Sequence, residues 1–137
     1  MSLFSVLSIS ASGMAAQRAR AEVVAENLAN ADTTRTPDGG PYRRRDVVFE
    51  TMLAEEMQTR ATGVAVGGVT VDERDPERRY SPGHPDADKE GYVAMPRINP
   101  AEEMIDLMGA SRGYQANVAS FSAAKDMIHR SIDLLKA

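Results

Sequence analysis

The chain has 137 residues, of which 42% are hydrophobic, 26% charged and 5% aromatic, with no Cys or Trp and a formal charge of -4. That length suits a single domain, and no stretch approaches the roughly 18 apolar residues of a membrane span, which excludes membrane insertion. The absence of Cys rules out disulfide scaffolds, thiolate metal sites and cysteine nucleophiles; the two His leave little for metal, cofactor or acid–base chemistry. The acidic balance argues against nucleic acid, whose binders work mainly by neutralising phosphates.

Helix breakers divide the chain. All seven Pro lie between Pro37 and Pro100, and seven of the ten Gly lie between Gly39 and Gly91. Pro removes a backbone donor and clashes with the preceding turn, so only the proline-free ends can be continuous helices. The expected organisation is an N-terminal helix over 1–31, a loop-rich middle with short strands over 32–100, and a C-terminal helix over 101–137. The fold class is mainly α, with the two end helices paired as a coiled coil.

In the first segment Leu7, Met14, Ala21 and Leu28 recur every seven residues, with Phe4, Ala11, Arg18 and Ala25 as companions. Four of the seven apolar positions are Ala or Met, so this seam is thin and adaptable, and Gly13 weakens it by about 1 kcal/mol relative to Ala. Ser5, Ser8, Ser10 and Ser12 interrupt the apolar run and no base precedes Arg18, so the start does not read as a cleaved secretory signal. Asn27-Leu28-Ala29-Asn30 and the following Asp32-Thr33-Thr34 read as a helix end running into a capped loop.

The middle carries Arg43-Arg44-Arg45, expected to form salt bridges to acidic patches on neighbouring subunits, where planar guanidinium suits bidentate carboxylate pairing. Val47 to Met57 reads as a short strand followed by a helical turn. Val64, Val66, Val69 and Val71 alternate around Gly67-Gly68, which reads as a bulge or tight turn, with Tyr92-Val93-Ala94-Met95 as the pairing strand. Asp86 to Gly91 resembles the opening of a calcium loop, but its twelfth position falls on Arg97 where a bidentate acid is required, so it reads as a solvated turn. His84 between two Pro lacks a second nearby His to complete a metal set. Nothing singles out a catalytic triad, and no enzyme is expected.

The C-terminal segment is the clearest element. Asn99-Pro100-Ala101-Glu102 supplies an N-cap, Pro at the first helical position and an early acid. Leu107, Tyr114, Phe121, Ile128 and Leu135 recur every seven residues, with Met104, Ser111, Val118, Lys125 and Ile132 as companions. Eight of these ten positions are apolar or aromatic, a 3.5-residue period that implies supercoiling against a partner helix. The expected seam and subunit-interface residues are Leu7, Met14, Leu28, Met104, Leu107, Tyr114, Val118, Phe121, Ile128, Ile132 and Leu135.

Asn27-Leu28-Ala29-Asn30 resembles the signature with which flagellar axial proteins of the rod and hook leave their N-terminal helix. Asp32 to Arg45, Pro82 to Val93, Asn99 to Met104 and Ala110 to Val118 resemble, in order, the proximal-rod members of that family; Arg97 and Gly113 depart from it. The resemblance implies a structural subunit of the flagellar basal-body rod, exported through the flagellar type III apparatus without a cleaved signal and assembled in the periplasm. Its implied partners are other copies of itself, other rod proteins and the ring or adaptor proteins around the rod, with no small-molecule substrate. The alternative is a soluble coiled-coil adaptor that binds one protein partner.

Overall fold

The computed structural model describes residues 3–52 and 62–136. Two long helices, α1 (Leu3–Ala29) and α2 (Pro100–Lys136), flank four strands: β1 (Arg45–Met52), β2 (Gly63–Val71), β3 (Glu77–Tyr80) and β4 (Tyr92–Met95). At 1.5 Å per residue, 27 and 37 residues make helices of roughly 40 and 55 Å. Asn99 caps α2: its Oδ1 accepts the Ala101 N–H at 3.1 Å while its Nδ2 donates to Glu102 at 3.1 Å. At the end of α1, Asn30 Nδ2 donates to the Glu26 carbonyl at 2.9 Å, and the Thr33 hydroxyl donates to Asn30 Oδ1.

The helices lie antiparallel. Gly13 faces Asn117, Gln17 faces Gly113, Arg20 reaches Asp106 and Asn27 reaches Glu103. The surfaces that meet are small or polar: Ser5, Ser10, Ala16, Val24 and Asn27 are buried on α1, and Glu103, Ala110 and Ala124 on α2. Gly13 permits this approach, since a Cβ there would stand 2.7 Å from Asn117 Oδ1.

The expected seam therefore forms only the edges of the surface that joins the two helices. On α2 the row facing α1 is Glu103, Ala110, Asn117 and Ala124, with Leu107, Phe121 and Ile128 half-buried beside it, while the companions Met104, Ser111, Val118, Lys125 and Ile132 are exposed. On α1 the companions Phe4, Ala11, Arg18 and Ala25 are exposed as well. Bulky rows hold helix axes about 8–10 Å apart; rows of Gly, Ala and Asn let the backbones close further, and they form the contact here.

The strands also pair differently from the sequence expectation. β2 pairs with β1, and β4 pairs with β3, both antiparallel. The register slips between Val48 and Phe49, where Gly67 is left over; this is the expected bulge, and a Cβ at Gly67 would strike the Glu50 side chain. β3 is Glu-Arg-Arg-Tyr and fully exposed; Tyr80 meets Tyr92 edge-on at 5.3 Å and the Arg78 guanidinium lies 4.7 Å over the Tyr92 ring. The strand part of Val47–Met57 is β1; the helical turn expected after it falls outside the described residues.

Candidate assembly interface

One pole of the helix pair is closed by a buried polar cluster. Asn27 is 0% exposed and Glu103 1%. Asn27 Nδ2 donates to the Arg45 carbonyl at 2.8 Å and to Glu103 Oε2 at 3.1 Å; its Oδ1 accepts the Arg45 N–H at 2.9 Å and the Tyr42 hydroxyl at 3.2 Å. Both donors and both lone pairs of the amide are thus used, as burial requires. Arg44 Nε donates to Glu103 Oε1 at 2.6 Å, and its other nitrogens reach Asp46 at 2.9 Å and Asp106 at 3.7 Å. Burial works against the Arg44 charge, but the hydrogen bonds to Glu103 and Asp46 outweigh it and hold its pKa above the ordinary value. Burial, seconded by the nearby Glu26 charge, likewise raises the Tyr42 phenol.

This cluster corrects the reading of the arginine triplet. Arg44 pairs with Glu103 and Arg45 with Glu26 at 2.8 Å, so two of the three charges are spent inside the chain. Arg43 is exposed and donates to the Asp72 carbonyl at 3.1 Å. Asn27 was missed by motif reasoning as a cross-link between elements; a single polar residue at the contact row of a helix, seven residues after Arg20, carries no signal of burial.

The acidic turn is likewise satisfied internally. Asp88 Oδ1 accepts the N–H groups of Glu90 and Tyr92, each at 2.9 Å, and Arg78 donates to its Oδ2 at 2.7 Å. Thr34 and Arg35 both bind Asp86, and His84 Nδ1 accepts the Asp86 N–H. Among the described residues no group of three or more His, Asp or Glu could hold a metal ion.

The opposite pole is open. Carried along the helices, the register of Gly13 with Asn117 sets Leu3 against the turn at Met127, so the last turns of α2 have no α1 residue opposite them among those described. Leu135 lies on the row of Leu107, Phe121 and Ile128, yet it is 87% exposed; Leu134 is 79% exposed and Ile132 43%. Of the other expected interface residues, Leu7, Met14 and Leu28 are half-buried on α1, and Tyr114 lies along the side of α1 in a groove with Met14 and Arg18. Met104 and Val118 are exposed, as are Ile105 and Met108, on the face of α2 turned from α1.

Two long helices with open apolar rows are the build of an axial structural subunit, and the similarities agree. Residues 7–35 match the family described as "Flagella basal body rod protein", and residues 89–134 the family described as "Flagellar basal body rod FlgEFG protein C-terminal". The flagellar basal-body rod protein FlgC of Salmonella typhimurium is 42% identical over 98% of each chain. That of Bacillus subtilis is 39% identical over 99% of this chain and 100% of its own, and that of Borreliella burgdorferi 36% identical over 99% of each. The chain belongs to the FlgC family of flagellar basal-body rod proteins, which are structural rod subunits rather than enzymes. That membership leaves no place for the single-partner adaptor reading.

Proposed function

We propose that this subunit builds the proximal rod by sharing its helix rows with other copies and with other rod proteins, and so passes torque from motor to hook. The carrying observation is the open pole of α2, where Leu135 extends the row of Leu107, Phe121 and Ile128 past the last described residue of α1, with the exposed Ile132 and Leu134 beside it. Covering each such side chain stabilises by about 1.5–3 kcal/mol, and a head-to-tail contact that does not close gives a filament rather than a ring. The expected seam residues Met104, Tyr114, Val118, Phe121 and Ile128 belong to this reading as surfaces for neighbouring helices, joined by Leu7, Met14, Leu28 and Leu107 at the edges of the helix pair. Passage through the flagellar type III apparatus without a cleaved signal, assembly in the periplasm and contact with the ring or adaptor proteins around the rod complete it.

The test is a Leu134→Glu/Leu135→Glu chain expressed in place of the native one in a flagellated bacterium. Both residues are solvent-exposed in the single chain, so its fold should hold while basal bodies lose the subunit and swimming stops. Basal bodies of normal composition carrying the double variant would refute the proposal.

A further inference from the structure

The bulge in β2 does more than relieve register. Successive strand residues point to opposite faces, so Val64 and Val66 would face away from Val69 and Val71 in a regular strand. The extra residue at Gly67 reverses that parity. The pairs Val47–Val69, Phe49–Val66 and Thr51–Val64 then share one face, with Arg45–Val71 at its base. The result is a two-stranded ribbon with five valines and Phe49 on a single side; Val47 is half-buried, and Phe49 and the four valines of β2 are exposed, from 38% to 49%. A contiguous apolar face of this kind marks a contact surface; the ribbon is held to its own chain by packing along α1, where the Val64 N–H donates to the Ser12 hydroxyl at 3.2 Å.

We infer that this ribbon face docks on the outward stripe Met104, Ile105 and Met108 of α2 in a second copy of the chain. Three observations select that occupant. The strands and α2 do not pack together within one chain among the described residues, and the stripe faces away from α1, so the two surfaces can meet only between molecules. Charge complements along the contact: the ribbon leaves the basic segment Arg43–Arg45, while the exposed Glu102 sits three residues before Ile105 on the same side of the first turn of α2. Arg43, whose charge no carboxylate of its own chain neutralises among the described residues, is then the member of the triplet left to meet it.

Size sets the mode of association. A ribbon of eight or nine residues is about as wide as a helix and offers a few hundred Å², well short of the ~800 Å² per partner of a stable pair. The contact therefore belongs to an array in which each subunit has several neighbours, and not to an isolated dimer. Met104 and Met108 are unbranched and mould onto a ridged valine surface. The inference rests on the rod reading above, since it takes the second copy from the same assembly.

The chain has no Cys, which makes the test clean. Val66→Cys/Met108→Cys chains are expressed in flagellated cells, basal bodies are isolated and oxidised, and disulfide-linked dimers are scored against Thr70→Cys/Met108→Cys, where Thr70 lies on the other face of the ribbon. Because a disulfide needs Cα atoms within about 7 Å, the first pair should give at least ~10-fold more dimer than the second. Equal yields, or no dimer from chains present in the basal bodies, overturn the docking inference while leaving the rod reading intact. Absence of the unsubstituted chain from basal bodies overturns the rod reading, and this inference with it.

Discussion

Arg44 donates from Nε to Glu103 Oε1 at 2.6 Å, and this bond fastens the loop after Tyr42 to the first turn of the long helix. Glu103 is almost wholly buried whereas Arg44 keeps a quarter of its side chain in water. Removing the cation strands a buried carboxylate, so Arg44→Gln should cost about 3 kcal/mol. Urea unfolding followed by tyrosine fluorescence reads this directly. Arg44→Met/Glu103→Leu should recover only part of the loss, because it leaves the buried Asn27 Nδ2 donor without its Glu103 acceptor, and an unchanged midpoint in Arg44→Gln would show that the pair is dispensable.

Asn27 and Asn30 sit three residues apart in one motif but do different work. Asn27→Ala abandons four buried hydrogen bonds and should cost about 3 kcal/mol at roughly 1 kcal/mol or less per bond; Asn30→Ala removes an exposed helix-end contact worth about 1 kcal/mol. Asn27→Asp should be at least as damaging as the alanine, because it sets a second carboxylate against Glu103. Thermal melts should place Asn30→Ala highest, Asn27→Ala below it and Asn27→Asp at or below Asn27→Ala.

Gly13 and Asn117 should couple strongly. Gly13→Ala gains about 1 kcal/mol of helix propensity, yet its Cβ displaces an Asn117 side chain that is held by donation to the Gly113 carbonyl at 2.8 Å. The single variant is expected to be less stable than the parent. Asn117→Ala/Gly13→Ala should exceed the Asn117→Ala single by about 1 kcal/mol, and the difference between this gain and the loss in the parent is the coupling a double-mutant cycle isolates.

The β3–β4 turn should respond to acid. The Tyr92 backbone N–H, with Arg78 and the Glu90 N–H adding to it, holds the Asp88 carboxyl below its ordinary value against the opposing effect of desolvation. Since the folded pKa is the lower one, the contribution is complete above the ordinary carboxylate range and is lost as the pH falls through the depressed value. NMR titration should find Asp88 as one of the last carboxylates to protonate, with the Glu90 and Tyr92 amides shifting in step. Asp88→Asn should abolish those amide shifts.

A dilute subunit should be ordered at one pole and frayed at the other. Its fully buried apolar residues are few and small, Val93 and Val24 being the largest aliphatic ones, and helices gain most of their stability from packing. Hydrogen exchange should protect amides near Asn27, Tyr42, Val93 and Glu103, and leave Ser122–Lys136 fast until assembly slows them. Near-complete helicity by circular dichroism in dilute monomer, with uniform protection, would contradict this.

The helices could be read from the sequence because prolines and the Asn99 cap are local signals. The bulge was readable for the same reason, from four valines out of phase around two glycines. The surface joining α1 to α2 was not, because Gly13, Ala110, Gly113, Asn117 and Ala124 make contact through closeness of backbone, and hydrophobic periodicity counts only bulk. The heptad rows it does count flank that contact: Leu107, Phe121 and Ile128 are half-buried beside it, and the companions Met104, Val118 and Ile132 are exposed. β3 was invisible because Arg78 and Tyr80 are held by cation and ring contacts to Tyr92 across the strand pair, with no apolar alternation to mark them.

The antiparallel arrangement gives the subunit a direction. Its loops and strands follow from the end where Asn27 locks the helices, while Leu3 and Lys136 lie toward the other. The β3–β4 pair makes no close backbone contact with either helix among the described residues, so its turn can change length without disturbing the far tips, and one helical chassis can carry collars of different shape.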